Sequence, residues 1–168
     1  VIVSQSRTEQ GLSVIVKFFD QFTKLLLAHT SSEEEGTRNM VSECLGKLAL
    51  VKPEIIIPQL KEKTQDSSPN TRVTVVSALK FAMLEREQPK LDQLLATEFT
   101  HFLALLKDSN VQVRHATLLT LNYAIHHKPH LVRDLLPEYL PVLYGETKVK
   151  PELITEVELG PFKHKVDN

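Results

Sequence analysis

The sequence predicts an all-α fold built as a stack of two-helix repeats, and three observations carry that prediction. One helical unit recurs three times. Its copies are EEEGTRNMVSECLGKLALVKP (Glu33–Pro53), Asp66 with the SPNTRVTVVSALKFAMLEREQP that runs from Ser68 to Pro89, and DSNVQVRHATLLTLNYAIHHKP (Asp108–Pro129). Each opens on polar or acidic residues, places an arginine early, and runs through apolar residues to a proline. The spacing within the unit is also kept. Asp66 to Arg72 and Asp108 to Arg114 are both six residues, and Arg38 to Pro53 and Arg114 to Pro129 are both fifteen. Finally, the apolar residues between these landmarks recur with helical rather than strand periodicity. Repetition of one helical unit is the signature of a repeat protein, in which each pair of helices buries its apolar face against its neighbours.

The elements follow in order. Residues 1–10 are weakly patterned and read as the remnant of a preceding element. Ile15, Phe18, Phe19, Phe22 and Leu26 form one helical stripe, which the polar patch Thr30–Gly36 ends. Val41, Cys44, Leu45, Leu48 and Ala49 form the next, completing a first pair over about 11–51. Pro53 suits the first turn of a short third helix with Ile56, Ile57 and Leu60, which fades near Thr64. Ser68 and Pro69 make an N-cap and N1 pair for a helix through Val75, Leu79 and Met83, closing a second pair over 53–85. Leu95, Phe99, Phe102 and Leu106 mark the first helix of a third pair, 89–127. Its second helix starts near Asp108 and Ser109 and carries Val113, Ala116, Leu118, Leu121, Ala124 and Ile125, broad enough to be sandwiched. After Pro129, Val132, Leu135, Leu136, Tyr139 and Leu143 give a seventh helix that Pro137 and Pro141 should kink or split. The stretch to Asn168 is mixed in pattern, so the fourth pair, 129–168, reads as incomplete.

Arg38 to Arg72 is 34 residues and Arg72 to Arg114 is 42. The longer period belongs to HEAT-class repeats, and the shorter is nearer the tetratricopeptide period, whose pattern calls for a tryptophan. The chain has none. It therefore reads as a HEAT-repeat α-solenoid of about three and a half helical pairs, one segment of a longer superhelix.

Composition narrows the function. Twenty basic against twenty-one acidic residues leave a net charge of −1 and no basic face for nucleic acid. No apolar run approaches the ~20 residues that span a bilayer, and the N-terminus shows no signal-peptide pattern. The single Cys44 cannot form an internal disulfide, which favours a reducing, intracellular setting. Its place on an apolar stripe marks it as a buried hydrophobe rather than a nucleophile. Pro129 separates His126 and His127 from His130 and keeps them off one helix face, so no zinc site is expected. The five glycines form no phosphate-binding loop, and no nucleophilic triad can be argued. The sequence predicts no cofactor, no metal and no enzyme activity. Gly46 in mid-helix points to close helix packing. Asp66, Arg72, Asp108 and Arg114 read as structural repeat positions that pair along the stack.

Beyond the repeat pattern, EGTRN with ECLGKL (Glu35–Leu48), ETKV (Glu146–Val149), ELI (Glu152–Ile154) and GPFKH (Gly160–His164) are specific strings. In them the chain resembles the cullin-associated, neddylation-dissociated family, and specifically its C-terminal half. The likeness is looser over 66–107 and least over 1–30. The resemblance implies a cytoplasmic and nuclear HEAT scaffold. Its partner is an un-neddylated cullin with its RING protein, bound in competition with adaptor–substrate-receptor modules, with no nucleic acid or membrane ligand. It further implies that the second helices, about 36–51, 69–85 and 109–127, line the concave face. Their polar residues Asn39, Glu43, Lys80, His115, Asn122 and His126 are the expected contacts. Residues 146–168 read equally as a contact loop or as a connection between helices. A HEAT scaffold of another kind, a nuclear transport receptor or a phosphatase scaffold, is the competing reading. The balanced charge lacks the acidic inner loops expected of the transport type.

Overall fold

A computed structural model describes the backbone of residues 9–84, 88–148, 154–159 and 162–167, and side chains over 18–84, 88–145 and 147–148. The chain divides into two compact units, Val1–Leu135 and Leu136–Asn168.

The first unit is helical: α1 (Glu9–Ala28), α2 (Glu35–Val51), α3 (Pro53–Lys63), α4 (Pro69–Met83), α5 (Pro89–Leu103), α6 (Val111–His127) and the single turn α7 (Pro129–Val132). Alternate helices form two layers. The even helices pack along the stack, α2 on α4 and α4 on α6, and do so more extensively than α3 packs on α5. Between the layers lies the core, with Leu45, Leu48, Ile56, Leu60, Leu79, Met83, Leu95, Phe99 and Phe102 essentially removed from water. Each such side chain contributes about 1.5–3 kcal/mol through burial. A 3-10 turn, Ala104–Lys107, extends α5 and adds Leu105 to a cluster with Val76, Val113 and Ala116. The all-α repeat architecture is as the periodicity predicts.

Punctuation repeats as faithfully as the helices do. The residue before the proline that opens each of α3, α5 and α7 takes one conformation: Lys52 at φ −138°, ψ 73°, Gln88 at −136°, 71° and Lys128 at −138°, 55°. The proline ring drives its predecessor out of the α region, so the preceding helix must stop and the next begins at a changed angle. Lys52 and Lys128 still donate their backbone N–H groups to Leu48 O (3.0 Å) and Ala124 O (2.8 Å). Ser68 caps α4 as expected, accepting from Thr71 N at 3.4 Å.

Several expectations need correction. Phe18, counted on the buried stripe of α1, is 45% exposed, whereas Phe19 is buried. Neither Asp108 nor Ser109 caps α6. Asn110 does, its Oδ1 accepting from Gln112 N (2.9 Å) and Val113 N (3.3 Å). Ile125 is partly exposed, and the burial expected of it falls instead on Thr117 and Thr120. Their hydroxyls donate to Val113 O (2.7 Å) and Ala116 O (2.9 Å), so neither carries an unmet polar group into the core. The element expected after Pro129 does split. It forms α7 and α8 (Leu136–Glu146), with Pro137 in the first turn of α8 and Pro141 inside it. The reading of residues 1–8 lies outside the described residues.

The second unit holds α8 and an antiparallel pair, β1 (Ile154–Leu159) and β2 (Phe162–Asp167). The register sets Glu156 opposite Lys165 and Glu158 opposite Lys163. This hairpin replaces the loop that the helical pattern left between 146 and 168.

Candidate partner-binding face

The even layer is fixed by a small motif at the start of each of its helices. Ser32, Asp66 and Asp108 occupy equivalent positions, each accepting from the backbone N–H two residues on: Glu34 at 3.3 Å, Ser68 at 3.0 Å and Asn110 at 2.8 Å. Six residues later stands an arginine whose Nη1 turns back to the carbonyls of that turn. Arg38 donates to Ser32 O (2.7 Å) and Glu33 O (2.9 Å). Arg72 donates to Asp66 O (2.8 Å) and Ser67 O (3.1 Å), and Arg114 to Asp108 O (3.0 Å) and Ser109 O (3.1 Å). A long donor-rich side chain is needed to satisfy two carbonyls at that offset, which explains the six-residue spacing.

Arg72 also joins neighbouring pairs. Its Nε and Nη2 donate to Asp108 Oδ2 (2.8 Å) and Oδ1 (3.0 Å), a bidentate pair whose side chains are 13% and 9% exposed. Burial pushes the Asp108 carboxyl up. The Arg72 hydrogen bonds, the Asn110 amide and the charges of Arg72 and Arg114 outweigh it and hold the group below the usual range. For Asp66 the Ser68 amide, then Lys63 at 2.9 Å, lowers the carboxyl. Of the four repeat positions, then, Arg72 and Asp108 pair between repeats. Asp66 pairs within its own repeat, and Arg114 closes its own turn.

Small side chains allow the even helices to approach. A Cβ at Gly46 on α2 would meet Ala78 O, Phe81 Cβ (2.6 Å) and Ala82 N (3.1 Å) on α4. Ser42 Oγ lies 3.0 Å from Thr74 O and Thr120 Oγ1 3.1 Å from Val76 O, so each hydroxyl proton is shared between a carbonyl of its own helix and one of the next.

Across this layer runs a groove of about 320 Å³ formed by α2, α4 and α6. It gathers three of the six expected contacts, Asn39, Lys80 and His115, together with Arg38, Ser77 and Gln112. Asn122 and His126 instead line a separate depression of about 270 Å³ with Leu84, Tyr123 and His127, where Tyr123 and His127 stack at 5.6 Å. Glu43 lines neither and is held by Lys47 one turn on. The sequence marks Arg38 only as a repeat landmark, and Ser77, Gln112 and Tyr123 carry no mark in it. The signal for Ser77, Gln112 and Tyr123 is a three-residue offset from Lys80, His115 and His126, which sets each pair on one helix face.

The described groove is lined by polar side chains placed for non-covalent contact. Cys44 is half-buried, and burial, then Glu43, pushes its thiol up, away from the reactive thiolate. Among the described residues no three His, Cys, Asp or Glu groups come together as a metal site, and no helix is long and apolar enough to cross a membrane.

Comparison with known proteins adds the identity of the strings. A family model, TIP120, described as TATA-binding protein interacting (TIP20), matches residues 131–168. The chain is 49% identical over 167 residues, 99% of its length, to Cullin-associated NEDD8-dissociated protein 1 of Dictyostelium discoideum. It is 48% identical over 168 residues, its full length, to the protein of that name in Drosophila melanogaster. Over 137 residues, 82% of the chain, it is 41% identical to an Emericella nidulans protein named as the C-terminal part of Cullin-associated NEDD8-dissociated protein 1. The chain spans 13% of the length of each of these relatives. It belongs to the family of cullin-associated NEDD8-dissociated proteins.

Proposed function

We propose that this chain is a non-enzymatic scaffold segment whose even-helix layer docks on a cullin–RING ubiquitin ligase. The bound form is the un-neddylated cullin with its RING protein. The whole protein, by occluding the adaptor site, promotes exchange of adaptor–substrate-receptor modules in the cytoplasm and nucleus. The observation that carries the reading is the continuous even layer. Its helices keep a common register, and it presents polar side chains in a groove rather than a closed catalytic pocket. The relatives' names supply the partner class. A solenoid recognises partners through such an extended surface.

The test is binding of the full-length protein to un-neddylated and neddylated cullin–RING complexes. A variant with Asn39, Lys80, His115 and Asn122 all replaced by glutamate is run alongside. Selective binding to the un-neddylated form, lost in the variant, is the expected result. Equal affinity of variant and parent would remove the even layer from the interface.

A further inference from the structure

Hydrogen-bonding capacity is spent very unevenly across the even layer. The hydroxyls between the helices are all used: Ser42 on Arg38 O (2.9 Å) and Thr74 O (3.0 Å), Thr74 on Asn70 O (2.7 Å) and Thr30 O (2.8 Å). The groove side chains are different. Among the described residues, Asn39, Ser77, Gln112 and His115 spend no side-chain donor on another residue, and all four face one cavity. Lys80 stands among them. It forms no ion pair among the described residues and approaches only the edge of cation–π range over Phe81, at 5.9 Å. Burial alone pushes its ammonium down, with no carboxylate acting on it, although Glu35 also lines the groove. Several other buried or half-buried lysines on the stack are matched to carboxylates: Lys61 to Glu98 at 2.7 Å, Lys63 to Asp66 at 2.9 Å and Lys128 to Asp92 at 3.0 Å.

A half-buried cation surrounded by unused donors calls for one kind of occupant, an anionic acceptor with more than one lone-pair site. Leu119 lines the same groove and is exposed, so the occupant's neighbouring atoms meet an apolar wall. We infer that Lys80 anchors a carboxylate of the docked cullin: an aspartate or glutamate side chain enters the groove between α2, α4 and α6. Its oxygens take hydrogen bonds from the Lys80 ammonium and from Asn39, Ser77 or His115, while apolar atoms beside it cover Leu119. The cation that burial weakens in the free protein is restored to a paired state in the complex. Desolvated charge pairs of this type act mainly on complex lifetime. This inference rests on the docking reading above.

The test uses the full-length protein and un-neddylated cullin–RING complex. Parent, Lys80→Met, Lys80→Glu and the odd-layer control Lys90→Met are compared by equilibrium binding and dissociation rate, with thermal melts to verify folding. In parallel, zero-length carbodiimide cross-linking of the parent complex is read by mass spectrometry, which needs no variant. The expected result is about tenfold or greater weakening for both Lys80 variants, through faster dissociation, and none for Lys90→Met. A cross-link from Lys80 to a cullin Asp or Glu is expected with it. If the parent binds but the Lys80 variants bind equally well and Lys80 forms no such cross-link, the anchor is refuted and the docking reading stands. If the parent binds no cullin, both are overturned. Competition of binding by millimolar inorganic phosphate but not by acetate would mark the groove as a phosphate site and refute the carboxylate assignment.

Discussion

Gly46 makes a prediction in which helix propensity and packing have opposite signs. Replacing a mid-helix glycine by alanine ordinarily stabilises a helix by about 1 kcal/mol, because glycine loses more backbone freedom on folding. At Gly46 the new methyl would fall on α4, against Ala78 O, with Phe81 Cβ at 2.6 Å and Ala82 N at 3.1 Å. Two of these are backbone atoms, so no rotamer change relieves them. Either α2 or α4 must shift, and that shift would lengthen the Ser42–Thr74 contact of 3.0 Å. Overpacking a tight core costs about 1–3 kcal/mol, and a backbone clash belongs at the upper end. Net of the propensity gain, Gly46→Ala should destabilise the chain by roughly 2 kcal/mol. Urea unfolding followed by helical circular dichroism measures it, with Gly145→Ala as a comparison, since nothing lies within 4 Å of a Cβ there. A stabilised Gly46→Ala protein would show that α2 and α4 are not in close apposition.

Four further outcomes follow from the stack. Arg72→Met leaves Asp108 a buried carboxylate without its bidentate partner, and should cost about 3 kcal/mol in the same unfolding assay. Pairing Arg72→Met with Asp108→Leu should recover part of that loss, whereas strict additivity would argue against the pair. Because the Asp108 carboxyl is held below its unfolded value of about 3.9, its contribution is complete above that pH and disappears as pH falls through the lower folded value. Thermal melts from about pH 6 to about pH 2 should therefore lose midpoint more steeply for the parent than for Asp108→Asn. Lys128 is 1% exposed and Asp92 21%, so Lys128→Met should cost roughly 3 kcal/mol, the low end for a broken buried pair. Ser68→Ala removes one N-cap bond and should cost about 1 kcal/mol, most visible as faster amide exchange at Thr71.

Much of this architecture could be read from the chain, because its strongest signals are local. The six-residue interval from Asp66 to Arg72 and from Asp108 to Arg114 is a distance an arginine must span to reach two carbonyls. The prolines announce their helices by sterics alone. Three features escaped. The buried hydroxyls of Thr74, Thr117 and Thr120 count as polar in a hydropathy pattern, yet they donate back into their own helices, so α4 and α6 bury more of their surface than their leucines suggest. Phe18 and Phe19 are chemically alike and adjacent, and only the placement of neighbouring helices decides which is covered. The hairpin lies outside the helical repeat pattern. Its signal was present as alternation in ITEVEL and FKHKVD, with Glu156 and Glu158 mirrored by Lys165 and Lys163 about Gly160–Pro161. Of the expected contacts, the sequence could name residues on a common face. It could not show that Asn39, Lys80 and His115 share one groove while Glu43 stands apart: Asn39 and Glu43 lie four residues apart on one face of α2, and how the neighbouring helices pack along that face separates them.

The unequal repeat lengths acquire a meaning once the layers are assigned. From proline to turn aspartate, α3 and its loop take 13 residues (Pro53 to Asp66), and α5 with its 3-10 extension takes 19 (Pro89 to Asp108). From arginine to the next proline the intervals are 15, 17 and 15 (Arg38 to Pro53, Arg72 to Pro89, Arg114 to Pro129). Six of the eight residues that separate a 34-residue repeat from a 42-residue one are therefore placed in the odd layer. The other two fall in the even half of its repeat. Since α4 ends at Met83, they lengthen the connection that follows it. Most of the length difference between these repeats is taken up on the odd side, while the turn that opens each even helix recurs with the same hydrogen bond. A surface that must match a partner at several places tolerates drift in side chains far better than drift in spacing. On the docking reading proposed above, most of this change in spacing lies in the layer that faces away from the partner.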